Sequence, residues 1–148
     1  LAKATVQAAI AGGVFTSNAD SCLLPYAASP NYSAVYANVV ASGRTDYVAG
    51  KTLVDYMNTS NDPRRAAYFR QRNGQYIGGA IGVNSPFNGH SAPGDYAYAA
   101  TTPGILLNYT EVAFYLAEAA ARWGTGNPES LYNTAVTASF LRWGRVSS

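Results

Sequence analysis

Residues Leu106 to Gly144 read LLNYTEVAFYLAEAAARWGTGNPESLYNTAVTASFLRWG, and this stretch decides the fold. It alone combines sustained helical periodicity, a cap at each helix start and a short connection, so it predicts a helical hairpin. Asn108 is placed to N-cap the first helix. Glu111, three residues on, is placed to reach back to the cap, and Leu106 and Leu107 sit just upstream to fix the angle at which the chain enters. Tyr109, Val112, Ala113, Leu116, Ala119, Ala120 and Trp123 then recur at i, i+3, i+4, i+7, which is one face of a helix. Glu111, Glu118 and Arg122 form the polar stripe, with Glu118 and Arg122 at the supportive i, i+4 separation. Gly124 and Gly126 end the first helix. Asn127 caps the second, and Pro128 takes its first position, where a missing N–H costs nothing. Leu131, Tyr132, Ala135, Val136, Ala138 and Trp143 form its expected buried stripe against a polar back of Asn133, Thr134 and Thr137. The alanines allow close approach of the two helices. Phe140 and Leu141 lie off the stripe.

The hairpin resembles the helical core of the SusD/RagB family, nutrient-binding lipoproteins of the outer membrane of Bacteroidetes, whose helix pairs are similar to tetratricopeptide repeats. Upstream, RTDYVAGKTLVDYMNTSNDPRRAAYF resembles the family segment that ends in Asp-Pro-Arg, here Asp62, Pro63 and Arg64. The two segments follow in the family's order and spacing. The resemblance implies a mainly α fold of tetratricopeptide-like hairpins with long irregular loops. It also implies that residues 1–148 are an internal fragment of a larger SusD-like domain, with a helical core at 106–144 and a long loop region at 71–104. As function it implies non-enzymatic capture of oligosaccharide or another nutrient at the cell surface, beside a SusC-like TonB-dependent transporter. Attachment to the membrane would be through an N-terminal lipid that this chain does not include. The family's ligand residues lie on variable loops and do not transfer by motif.

Composition agrees with an ordered globular piece. At 148 residues the chain is long enough for a core, and 48% hydrophobic residues exclude a disordered chain. Charged residues make up 12%, about half the usual share, while aromatics reach 13% with 12 tyrosines. Net charge is +2, and Arg64, Arg65, Arg70 and Arg72 form the local cationic cluster beside Asp62, which does not make a nucleic-acid surface. Low charge with abundant Tyr, Asn, Ser, Thr and Gly suits contact with neutral polar ligands such as sugars, and it equally suits ordinary secreted proteins. The single Cys22 excludes an internal disulfide and reads as a small core residue.

In chain order, Leu1 to Ala11 reads as an uncapped helix with Leu1, Val6, Ala9 and Ile10 on one side and Gly12-Gly13 as its stop. Such a start implies sequence upstream. Phe15 to Pro30 is a loop. Tyr32, Val35, Tyr36, Val39 and Val40 fit a helix by spacing and a strand by composition, and both remain open. Gly43 to Tyr47 is a turn, and Lys51 to Met57 a short helix burying Leu53, Val54 and Met57. Asp62 caps and Pro63 opens another helix reaching about Phe69 and presenting Ala66, Ala67 and Phe69. Gln71 to Gly104 is glycine-rich without helical period, a length that in a compact domain marks function or disorder. Its Gln75 to Val83 part has the pattern of a glycine-weakened β-hairpin.

Chemistry in the sequence is sparse. His90 with Ser85, Ser91 and Asp95 has the residue types of a catalytic triad, but triad members are generally remote in sequence and held by a rigid scaffold, so no catalytic residue is assigned. One His and one Cys show no zinc spacing, and Gly74, Gly78, Gly79 and Gly82 lack the Gly-Lys-Ser/Thr of a phosphate loop; neither metal nor cofactor is expected. Tyr96 and Tyr98, at i, i+2, would face one side of an extended segment as a sugar-stacking platform needs, or would tack the loop onto the helices. With Phe87 and Tyr76 they are the ligand-binding candidates. Two rival classes stand beside glycan binding: a helical scaffold that docks a protein, and a small secreted hydrolase in which His90 would reach a serine and a carboxylate.

Overall fold

A computed structural model describes residues 1–144. In chain order the elements are α1 (Ala2–Gly12), β1 (Cys22–Leu24), α2 (Ala34–Tyr36) running into a π turn (Ala37–Ala41), α3 (Lys51–Thr59), α4 (Arg65–Tyr68), β2 (Gly104–Leu107), α5 (Tyr109–Trp123) and α6 (Pro128–Arg142). Short 3₁₀ turns occupy Asn18–Asp20, Phe87–Gly89 and Asp95–Tyr98. The fold is mainly α, as predicted, and it divides into two compact units: Leu1–Leu24 with the chain from Ile105 onward, and Pro25–Gly104. No helix among the described residues is long and apolar enough to cross a membrane.

The first unit is built on the predicted hairpin. Asn108 Oδ1 accepts the Glu111 N–H at 2.9 Å, and Asn127 Oδ1 accepts the Ser130 N–H at 2.9 Å, so each cap satisfies a donor that the first turn leaves unpaired. The reciprocal bond from Glu111 gives way to another: its carboxylate accepts the Tyr115 hydroxyl at 2.5 Å, one turn along the same face, and holds that phenol above its ordinary pKa. Gly124 ends α5 at φ +68°, where a side chain would be strained, and its N–H returns to the Ala120 carbonyl at 2.9 Å. With only residues 124–127 between them, α5 and α6 are antiparallel. Val112, Ala113, Ala117, Ala119 and Ala120 are buried on one side and Ala135 and Ala138 on the other. Leu116, Leu131, Val136 and both tryptophans are half-buried. Tyr132 departs from the predicted stripe: it is exposed and meets the Phe114 ring edge-on across the surface of the hairpin, at 5.8 Å between centroids.

Helix α1 forms as expected and stops at Gly13, laying Val6 and Ile10 half-buried against α5. Between them runs an apolar groove of about 340 Å³ whose walls include Val6, Ile10, Val112, Leu116 and Trp123. The strand pair of this unit joins β1 to β2, segments 80 residues apart, and not the predicted Gln75 to Val83 hairpin, where only single bridges form. Cys22 is an exposed residue of that edge pair and not a core one, because a two-stranded ribbon with no third strand or covering helix leaves its side chains in water. Asp20 folds the turn before it by accepting the Thr16 and Ser17 N–H groups at 2.8 and 2.9 Å. The Asn18 amide then donates to the Ala138 carbonyl of α6 at 3.0 Å, and Ser21 Oγ accepts the Tyr109 N–H at 3.1 Å.

The second unit packs around Ala49, Val54, Met57 and Phe69, with Tyr68 and Tyr76 against them. The open choice at Tyr32–Val40 resolves as helix: Ser33 is buried and caps α2 through the Val35 N–H at 3.2 Å, while its own N–H binds the Ala100 carbonyl at 2.8 Å. In α3, Val54 and Met57 are buried as predicted, but Leu53 is exposed, one position around the helix from the core. The helix after Asp62-Pro63 is shorter than predicted, four residues, and Ala66 faces solvent. The cap position is Arg64, with no side-chain capping hydrogen bond, so Asp62 is not the cap; Asp62 folds the turn before the helix instead. Its buried carboxylate accepts the Arg64 N–H at 2.8 Å and the Arg64 guanidinium through Nε at 3.0 Å and Nη2 at 2.5 Å, while Arg65 Nε donates to the Asp62 carbonyl at 3.0 Å.

Gln71–Gly104 carries little regular structure, yet it is pinned by backbone. The Ala49 N–H binds the Ser91 carbonyl at 2.7 Å, the Gly79 N–H binds Ala49 at 2.8 Å, and the Lys51 N–H binds Gly79 at 2.8 Å. Ser91, 1% exposed, donates its N–H to Ile77 at 2.7 Å and accepts the Ile77 N–H on its hydroxyl at 3.0 Å. Arg70 and Gly94 close the ladder through Ala92 and Tyr68, at 3.0 and 2.8 Å.

Two predictions follow from this packing. Ala135 is fully buried on the face that α6 turns to α5, so Ala135→Leu forces the helices apart and lowers stability by about 1–3 kcal/mol in chemical denaturation. A variant as stable as wild type would show the crossing to be loosely packed. The Arg64 guanidinium holds the Asp62 carboxyl below its ordinary value of 3.8, and a depressed carboxylate stabilises the fold above the unfolded value and loses that contribution as pH falls through the folded one. Asp62→Asn should therefore cost about 1.5–3 kcal/mol at neutral pH, with the gap to wild type closing as pH drops below about 4. A gap that stays constant down to acid pH refutes the charge pairing as its source.

Candidate functional site

The second unit carries a cleft of about 350 Å³ lined by Arg44, Thr45, Arg70, Gln71, Arg72, Phe87, His90, Ala92 and Tyr98. Its floor is the backbone ladder just described, since Arg70 and Ala92 are paired neighbours in it. The 3₁₀ turn Phe87–Gly89 forms one wall and presents Phe87. The second turn, Asp95–Tyr98, presents Tyr98.

Of the four aromatic candidates, the fold brings Phe87 and Tyr98 into this cleft and leaves Tyr96 and Tyr76 out of its lining. The expectation that Tyr96 and Tyr98 share a face is corrected by the backbone. They lie in a 3₁₀ turn and not an extended segment, and at three residues per turn i and i+2 point about 120° apart. Tyr96 is 38% exposed, and its carbonyl accepts the Thr102 hydroxyl. Tyr76 packs on the core, with the Arg65 guanidinium 5.6 Å from its ring centre. Tyr98 itself has one face covered, because the Arg70 guanidinium stacks on it at 3.9 Å while donating to Asp95 at 2.7 Å.

The residues that sequence reasoning did not assign are the arginines. Arg70 and Arg72 belong to the cationic cluster visible in the sequence, and nothing in the sequence joins Arg44 to them. Arg44 pairs with Asp46 and lies 4.9 Å from the Tyr47 ring, and the pairing pulls the Asp46 carboxyl below its ordinary range. Arg72 Nε donates to the Asn88 carbonyl at 2.5 Å, which fastens the Phe87 turn to the floor.

His90 Nδ1 lies 2.7 Å from the Pro86 carbonyl. A carbonyl only accepts, so Nδ1 carries the proton, and Nε2 is the ring nitrogen left for another partner. The triad residue types are not assembled. Ser91 Oγ is turned into the core toward Ile77, Ser85 Oγ donates to the Ala80 carbonyl at 3.1 Å, and Asp95 holds Arg70. Among the described residues no group of three or more His, Cys, Asp or Glu side chains is placed to hold a metal.

The first unit carries a wider groove of about 730 Å³. Its lining mixes hydroxyl and amide groups, among them Ser17, Asn18, Asn133, Thr134 and Thr137, with the Glu129 carboxylate and with Tyr109, Ala138 and Leu141. This is the polar back of α6 that the helical period assigns to solvent. Among the described residues the buried Asn18 Oδ1 has no hydrogen-bond partner.

No curated protein sequence matches the chain significantly. Among solved structures, a chitin-binding protein superposes with TM-score 0.80 at 25% identity, over 99% of this chain and 37% of its own. A chitin-binding SusD homologue from Flavobacterium johnsoniae gives TM-score 0.73 at 27% identity, over 91% of this chain and 29% of its own. A SusD homologue from Bacteroides vulgatus shares the fold at TM-score 0.80 and 23% identity, over 97% and 31%. The chain thus spans about a third of the length of the solved structures it matches. All of residues 1–148 match the SusD-like family described as "Starch-binding associating with outer membrane", and the chain belongs to that family.

Proposed function

We propose that this chain is part of a non-enzymatic glycan-binding protein working at the bacterial outer surface, which holds an oligosaccharide for uptake through a SusC-like TonB-dependent transporter. A lipid on the N-terminus of the whole protein would supply the membrane attachment. The observation that carries the reading is the match of the whole chain to a family described as starch-binding and associating with the outer membrane. The chitin-binding character of two structural relatives supports the same ligand class.

The cleft of the second unit is the proposed contact. A sugar offers hydroxyls and weakly apolar ring faces, so a receptor needs aromatic rings beside fixed hydrogen-bonding groups in a preformed concavity. Phe87 and the face of Tyr98 that Arg70 leaves uncovered supply the rings. Arg72, Gln71 and Thr45 supply donors, and Nε2 of His90 supplies a further hydrogen-bonding group. No group there is arranged to break a glycosidic bond, which takes a pair of carboxylates flanking the linkage; the lining contains none. Binding without turnover is the chemistry that these residues support.

Calorimetric titration of the intact protein with maltoheptaose and chitohexaose tests this. Tyr98→Ala or Phe87→Ala should weaken binding by on the order of 1–3 kcal/mol, the scale of ring stacking on aromatics. Tyr76→Ala should lower the melting temperature and leave affinity intact, since that ring packs on the core. Unchanged affinity in both cleft variants would move the binding surface elsewhere.

A further inference from the structure

The cleft holds a charge pattern that neutral sugar binding leaves unused. Three of the chain's ten lysines and arginines, Arg44, Arg70 and Arg72, line this one cavity, and no carboxylate lines it with them. In a chain only 12% charged, such a gathering requires cations to be held near one another at a cost in repulsion. Two are paired outward. Arg44 binds Asp46, and Arg70 binds Asp95, whose side chain is 88% exposed; exposed pairs of this kind are weak and exchange readily for a better anion.

Arg72 is different. Among the described residues it takes part in no ion pair, and its side-chain partners are two neutral oxygens of Asn88: the carbonyl, 2.5 Å from Nε, and Oδ1, 3.4 Å from Nη2. A guanidinium has five N–H donors in a flat fork. Asn88 occupies the side edge of that fork, so the end edge, between the two Nη atoms, keeps its donors. That edge is the shape that grips a carboxylate with two parallel hydrogen bonds. The same Asn88 contacts hold the guanidinium still, so little rotamer freedom remains to be lost on binding.

We propose that the cleft selects an acid-bearing glycan, a uronic-acid oligosaccharide, with its carboxylate seated on the end edge of Arg72 and its ring against Phe87 and Tyr98. Arg44 and Arg70 add long-range attraction, and His90 Nε2 hydrogen-bonds a sugar hydroxyl. This inference rests on the glycan-binding reading and narrows it to a charge class.

The test uses the intact protein with tetragalacturonate, its fully methyl-esterified form, and maltoheptaose. The ester keeps every ring and hydroxyl of the acid and removes only its charge. The expected result is that the acid binds about ten- to a hundredfold more tightly than the ester, the scale of a charged hydrogen-bonded contact. Arg72→Gln should abolish that preference, read as the ratio of acid to ester affinity and not as affinity for either probe alone, since the same side chain fastens the Phe87 turn. Arg72→Lys, which keeps the charge and loses the fork, should retain part of the ratio. Equal binding of acid and ester overturns the inference and leaves glycan binding standing. A preference for acid that survives Arg72→Gln in full also overturns it, by placing the anion elsewhere. If none of the three probes binds, the glycan reading fails, and the inference with it.

Discussion

Close approach of backbone to backbone is the constraint on which both units depend. In the hairpin it is met by alanine: Ala113, Ala117, Ala119 and Ala120 of α5 and Ala135 and Ala138 of α6 are the buried residues, with Val112 the single larger one. In the second unit it is met by glycine. A Cβ on Gly94 would lie 2.2 Å from the Ala67 carbonyl oxygen, and one on Gly78 would lie 2.4 Å from the Lys51 Cα. Neither neighbour is the end of a flexible side chain, so neither can move aside. Small residues give up hydrophobic area, and what they return is dispersion contact and backbone hydrogen bonding at short range.

That choice explains the composition. A core made of alanine and of backbone ladders buries few large side chains; Val54 and Ser91 are the largest side chains less than 2% exposed among the described residues. The second unit must therefore satisfy its interior polar groups without a continuous sheet, and Ser91 does this by using N–H, carbonyl and hydroxyl on two different segments at once. With the interior held this way, the aromatics are released from core duty. Many of the 12 tyrosines sit at or near the surface, some against arginines and some against one another, as the tilted rings of Tyr32 and Tyr36 are at 5.2 Å.

The parts of the fold legible in the sequence are those fixed within one helix turn. Asn108, Asn127, Pro128 and Gly124 act on donors and acceptors three or four residues away, so their roles can be read without knowing the neighbours. Asp62 with Arg64 is of the same kind. The misreadings share the opposite cause. β1 finds β2 across 80 residues, and the Gln71–Gly104 segment is ordered by partners at Ala49, Lys51 and Tyr68, distances at which periodicity carries no information. Leu53, Tyr132 and Cys22 were assigned inside by hydrophobicity, but a helix or ribbon packed on one side only leaves such residues outside.

The candidate cleft shows the same division at the scale of single residues. Phe87 and Tyr98 were legible as rings on a polar loop, while the premise that paired Tyr98 with Tyr96 failed because a turn of four residues replaced an extended run. The arginines were visible as a cluster, but their meaning depends on who neutralises them, and that is a property of the fold. Arg64 and Arg72 make the contrast clear. Arg64 is eight residues away in the same cluster and is held by the buried Asp62 carboxylate, which gives its charge a structural use. Among the described residues the Arg72 guanidinium meets only the oxygens of Asn88, so its positive charge is left facing a cavity. An arginine that orients a turn and still presents charge to a cleft links the scaffold to whatever the cleft receives, because the contact that positions the guanidinium is also the contact that positions Phe87 beside it.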